Sequence, residues 1–201
     1  MSESFEFTGT HLEEVNRNIA KYPADRRQSA VLACLFAAQE QNHDDGHYVT
    51  PAAMAHISEL LDMPYIRVME VASFFTQINL SPVGAFHIQL CGTTPCMLRG
   101  AEELKAAITE KFGIHNGETT EDGKFTLLEV ECLGACCNAP MVQINDDFYE
   151  DLTPASLIDI LERLGKGETV TPGPQNGRRC SEPLGGPVTL LEGRAPQVPQ
   201  G

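Results

Sequence analysis

Basic residues are scarce in this 201-residue chain: 14 Lys and Arg stand against 28 Asp and Glu, a net charge of −14. That balance argues against a nucleic-acid partner, because phosphates demand a basic footprint. No apolar run approaches the about 18 residues of a membrane span, so direct membrane insertion is not expected and any association with a membrane has to come through partners. The opening stretch Met1–Asn18 holds four glutamates and one arginine, unlike an Arg-rich transit peptide, and no secretory signal is read there. There is no C-x-x-C redox pair, no dinucleotide glycine fingerprint, no recognisable flavin site and no acid/base constellation. The chain is therefore not expected to catalyse a reaction by itself.

Cysteine is what the sequence does offer. Four of its seven cysteines fall into two short pairs, Cys91-x4-Cys96 and Cys132-x3-Cys136, separated by 35 residues. Soft thiolates select zinc or iron–sulfur clusters. Structural zinc knuckles usually space their cysteines more tightly, whereas C-x4-C recurs in two-iron ferredoxins. Gly92 and Gly134 suit a loop whose backbone approaches a bulky anionic centre, and Thr93 and Thr94 supply hydroxyl donors. Zinc stays open as the second reading, and burial without a ligand as the third. Disulfides are disfavoured in a chain read as intracellular. Cys137, next to Cys136, reads as a spectator; Cys34 and Cys180 stand alone.

The first eighty residues read as helices. Asp25 and Gln28 form a capping-box-like start to an amphipathic helix through Val31, Cys34, Leu35 and Ala38. Thr50-Pro51 and Met63-Pro64 place proline at the first position of two more. The run Asn42–His47 is a polar turn rather than a metal site. From Ala85 the period changes to two, and Phe86, Ile88 and Leu90 alternate with Gln89 and an exposed His87 in a strand that runs into Cys91. A helix is predicted over Leu98–Phe112, strands over Lys124–Val130, Met141–Ile144 and Phe148–Tyr149, and a closing helix after Thr153-Pro154 that ends at Gly165. The order is that of an α/β thioredoxin-like sandwich preceded by a small all-α helical domain, with Pro140 where such folds carry a cis proline. The expected boundaries are a helical domain over 1–82, a thioredoxin-like domain over 83–165 and an extended Gly/Pro-rich arm over 166–201.

Several stretches together carry a family resemblance: Tyr22-Pro23, Leu61-Asp62-Met63-Pro64, Ser73-Phe74-Phe75-Thr76, Cys91 to Arg99-Gly100, Gly117-Glu118-Thr119-Thr120, Glu131 to Cys136 and Ala139-Pro140-Met141-Val142. The chain resembles the thioredoxin-like two-iron [2Fe-2S] ferredoxin subunit of NADH:quinone oxidoreductase, respiratory complex I. The resemblance implies one [2Fe-2S] cluster on Cys91, Cys96, Cys132 and Cys136, close to the flavin of a neighbouring subunit that holds FMN and NADH. It also implies a further iron–sulfur subunit as neighbour and a cytoplasmic position, peripheral on the inner face of a bacterial plasma membrane. The role implied is that of a non-catalytic electron-transfer subunit, a side reservoir for single electrons.

The same module serves NAD-reducing hydrogenases and NAD-dependent formate dehydrogenases, which remain alternatives, with a zinc-stabilised adaptor as a lower one. Residues 165–201 contain eight glycines and six prolines and carry a net charge of +1, too poor in apolar residues to build a core. Pro172-Gly173-Pro174, Gly177-Arg178-Arg179 and Glu182–Pro187 resemble the C-terminal extension of complex I homologues. An arm that becomes ordered against a partner is expected, with Arg178 and Arg179 making contacts there.

Overall fold

The computed structural model describes residues 4–183 together with 185, 186 and 189. The chain forms two compact units that divide between Val83 and Gly84. The first is all helical: α1 (Gly9–Ile19), α2 (Val31–Gln41), α3 (Pro51–Leu61) and α4 (Tyr65–Phe74), with 3-10 turns over Ala24–Ala30 and His43–Asp45. Its core collects the inward faces of these helices, among them Val15, Cys34, Leu35, Ile57, Leu61 and Val68. Thr50 caps α3, its hydroxyl accepting from the Ala53 N–H at 3.1 Å.

The start of α2 differs from expectation. Asp25 and Gln28 do not form a capping box; they lie in the 3-10 turn, and Gln28 Nε2 donates to the Asp62 carbonyl at 2.6 Å. A tertiary partner on the α3–α4 link outcompetes the local one. Pro64, likewise, is the residue before α4 rather than its first turn.

Cys34 lies at the centre of this core with no exposed surface. Burial pushes its thiol up to about 12 from an ordinary 9.0. The folded state thus holds this proton more tightly than the unfolded chain, so the contribution is intact below pH 9 and is lost as pH rises from 9 toward 12. Between pH 9 and 10.5 the parent chain is expected to lose roughly 1–2 kcal/mol more stability than Cys34→Ala. Urea titrations of both at each pH measure that difference.

The second unit is built on a five-stranded sheet of order β2-β1-β3-β4-β5. Its strands are β1 (Phe86–Cys91), β2 (Phe125–Val130), β3 (Val142–Ile144), β4 (Asp147–Glu150) and the two-residue β5 (Gly173–Pro174). The central strand β1 pairs parallel with β2, Ile88 opposite Leu127 and Cys91 opposite Val130, and antiparallel with β3. The hairpin β3–β4 turns at Asn145, whose φ is +53°, and β4 takes β5 in parallel. Helices α5 (Thr94–Leu98), α6 (Ala101–Phe112) and α7 (Pro154–Gly165) complete the unit. Leu104 and Ile108 of α6 and Leu157, Ile160 and Leu161 of α7 bury against Ile88, Leu127 and Val142. The α/β thioredoxin-like architecture behind a helical N-terminal region is as the sequence predicts. The Ala139–Pro140 peptide bond is cis.

Two local expectations are corrected here. The helix predicted from Leu98 is two helices, because Gly100 adopts φ +107° and restarts the chain at Ala101; Leu98 then leaves the core face and is 75% exposed. His87 is buried: its face of the sheet is covered, since its register partner Thr126 on β2, which shares that face, is buried as well.

A third concerns the arm. Residues 166–183 are ordered on their own sheet: Val170 is in the core, Gly173–Pro174 extends the sheet, and Arg178 is engaged inside the unit rather than left for a partner. The sequence underestimated this because a parallel edge strand and one guanidinium need little apolar surface. Leu184 and Pro187 of the Glu182–Pro187 run, and residues 190–201, lie outside the described residues.

Candidate metal centre

Parallel pairing of β1 with β2 brings both cysteine pairs to one end of the sheet. Cys91 is the last residue of β1, and Cys132 follows the end of β2 by two residues. The Gly92 N–H donates to the Val130 carbonyl at 3.2 Å, tying the start of the first loop to the end of the second strand. The loops then share a small apolar cluster of Cys91, Cys96, Ala101, Ala139 and Met141, onto which Leu133 and Ala135 of the second loop pack. Burial of these side chains, rather than any covalent link, makes the two loops meet.

The four thiols form a mutually interacting set. Cys132 and Cys136 lie with sulfurs 3.4 Å apart, Cys91 and Cys96 are within hydrogen-bonding reach of each other, and Cys91 and Cys136 act electrostatically on Cys96. Cys91 and Cys96 are buried on a strand end and a short helix, whereas Cys132 and Cys136 are exposed on the loop. Among the described residues, no three His, Cys, Asp or Glu side chains stand in the tight arrangement of a single-ion site.

Backbone and hydroxyl donors point at the sulfurs. Thr93 Oγ1 lies 3.3 Å from Cys91 Sγ, and the Gly134 N–H donates to Cys132 Sγ at 3.4 Å. Burial raises the Cys91 thiol, but hydrogen bonds from Thr93 and from the Leu133 N–H outweigh it and leave it below the ordinary value. The Gly134 N–H and the neighbouring Cys136 lower Cys132. Cys96 is pushed up to about 12 by burial and by Cys91, and Cys136 is raised by sharing a proton with Cys132. The pattern is that of thiols crowded together, in which some ionise at the expense of others.

Gly134 has φ +87°, a conformation that brings its N–H round to the sulfur and that a Cβ would strain. A Cβ added at Gly92 or Gly134 would meet no protein atom within 4 Å, so both loops have open space alongside. Thr94 opens α5, so of the two threonines only Thr93 is seen to contact a sulfur. Leu133, a donor through its backbone, carried no signal in the sequence, because any residue supplies an N–H. Cys34 lies in the helical unit's core, Cys180 is exposed in the arm, and Cys137 is exposed beside Cys136.

Comparison with known proteins gives the family. The sequence profile of the family described as thioredoxin-like [2Fe-2S] ferredoxin matches residues 15–165. The chain is 46% identical over 188 residues to the mitochondrial NADH dehydrogenase [ubiquinone] flavoprotein 2 of Dictyostelium discoideum, covering 94% of this chain and 75% of that protein. It is 48% identical over 161 residues to an NADH-quinone oxidoreductase subunit of Rickettsia bellii, covering 80% of this chain and 95% of that one. An NAD+-reducing [NiFe]-hydrogenase shares the fold, with a TM-score of 0.57 at 22% identity over 66% of this chain and 23% of that one. The chain therefore belongs to the thioredoxin-like [2Fe-2S] ferredoxin family.

Proposed function

We propose that the chain is an electron-transfer subunit of an NADH:quinone oxidoreductase, holding one [2Fe-2S] cluster on Cys91, Cys96, Cys132 and Cys136. The convergence of these four thiols from two loops at one sheet end carries the reading. The residues present fit such a group: four soft donors, N–H and hydroxyl donors aimed at two of the sulfurs, and open space beside both loop glycines. A two-iron cluster, when bound, takes up and releases one electron at a time, at a potential set by hydrogen bonds to sulfur and by burial. Thr93, Leu133 and Gly134 would stabilise negative charge on sulfur, and the Met141 cluster would keep water from the Cys91–Cys96 side.

In this reading the partner is a subunit carrying FMN and NADH, with a further iron–sulfur subunit nearby. Met97 and Leu98 are exposed apolar side chains next to Cys96, and Tyr65, Ile66, Met69 and Phe74 are exposed on α4. Patches of this kind mark protein interfaces. Among the described residues no helix is long and apolar enough to cross a membrane; in this reading attachment to the membrane is peripheral, through the complex. Identity of 46–48% to NADH dehydrogenase subunits supports the quinone-linked complex. Isolation of the native assembly tests this. A flavoprotein should copurify, and the separated chain should be brown with a two-iron paramagnetic resonance signal on reduction; a colourless, zinc-loaded chain would refute it.

A further inference from the structure

The two halves of the candidate centre are supported unequally. Cys91 and Cys96 stand on regular structure, but Cys132 and Cys136 occupy an exposed loop that ends in the 3-10 turn Cys136–Asn138. Something must hold that loop still. Asn138, fully buried, anchors its far end: the Asn138 N–H donates to Ala135 O at 2.9 Å, and the Asn138 carbonyl accepts from the Asp151 N–H at 2.8 Å. The Asn138 side chain donates to Glu150 and to the carbonyl of Cys180 in the arm.

Arg178 adds a second tie from outside. Its guanidinium donates to both carboxylate oxygens of Asp151, to the Cys137 carbonyl at 3.1 Å and to the Glu182 carbonyl at 3.3 Å. The Arg178 and Asp151 side chains are only 11% and 6% exposed. One planar fork thus joins the cysteine loop, the link after β4 and the arm, and it grips the peptide between Cys137 and Asn138, one residue beyond Cys136. A guanidinium suits this because its donors are fixed in one plane.

We propose that the C-terminal arm is a clamp on the second cysteine loop, with Arg178 as its positioning residue, setting the geometry in which Cys132 and Cys136 hold a metal cluster. This rests on the four-cysteine reading above. Removing a group that orients metal ligands typically costs 10–100-fold in metal retention.

The test uses the full chain bearing its cluster, with three readouts: bleaching by an iron chelator, the paramagnetic resonance spectrum of the reduced protein, and far-ultraviolet circular dichroism. Arg178→Ala is expected to bleach roughly tenfold faster than the parent, with altered g-values. Arg178→Lys should fall between, because a point charge cannot reproduce the fork. Exposed Arg179→Ala should match the parent. The double variant Arg178→Met with Asp151→Asn leaves no unpaired carboxylate, so it decides the matter if Arg178→Ala fails to fold. A folded double variant with parental bleaching and spectrum would overturn the clamp while leaving the cysteine reading intact. Loss of secondary structure in the double variant would make the arm a folding element instead, and would overturn it too. A parent chain that takes up no iron would defeat both readings.

Discussion

Alanine at any one of Cys91, Cys96, Cys132 or Cys136 is expected to abolish or severely destabilise the [2Fe-2S] centre, while Cys34→Ala and Cys180→Ala leave it intact. Each of the four thiols interacts with at least one other of the set, whereas Cys34 is enclosed in the helical unit and Cys180 is in the arm. The two halves should fail differently. Cys96→Ala also removes a side chain from the buried cluster around Met141, so the apo chain should lose stability, by an amount on the order of 1 kcal/mol for one small buried group. Cys136→Ala, at an exposed loop position, should cost the apo fold little. Cys137→Ala separates the two adjacent thiols: Cys137 is exposed and its carbonyl is already engaged by Arg178, so its loss should leave the signal unchanged. Iron content and the reduced two-iron resonance measure all seven variants. A parental signal after loss of Cys136 alone would overturn the ligand assignment.

The second large effect is expected on the helical unit. Ile66 and Phe74 are 57% and 77% exposed on α4, eight residues apart on a helix that buries Val68 and Ala72 on its other side. Charging such a face, as in Ile66→Glu with Phe74→Glu, leaves the core untouched and should change stability by no more than about 0.5 kcal/mol. If this face meets the flavin-bearing subunit, apolar anchors of this size are worth roughly 2–4 kcal/mol each, so losing one should weaken association by about 30-fold and losing both by about 1,000-fold or more. The cluster signal should not change, because these residues belong to the unit that ends before Gly84. Titration of the purified partner, followed calorimetrically, reads the affinity. Parental affinity would remove α4 from the interface.

Much of this protein was legible as a string of residues because its strongest signals are local. The period-two run Phe86–Leu90 ends directly on Cys91, the two cysteine pairs declare themselves by spacing, and Thr50-Pro51 and Thr153-Pro154 announce helix starts that the structure repeats, with Thr153 and Ser156 closing a capping box. Such features depend on neighbours a few residues away, and tertiary context has little to overrule.

The misread positions depend on partners distant in sequence. Gln28 was available for a local cap and is taken by Asp62, 34 residues on. His87 alternates like an exposed residue, yet it and its register partner Thr126 on β2 share a buried face, a cover that no local pattern records. Arg178 in a glycine- and proline-rich tail reads as a contact for a partner until folding brings Asp151 and the Cys137 carbonyl to it. The chemistry proposed for the site was written in four cysteine positions. Their meeting was not: it needed β1 and β2 to lie side by side and in parallel, so that two loops 35 residues apart leave the sheet at the same end and bury Leu133 and Ala135 against Cys91 and Cys96.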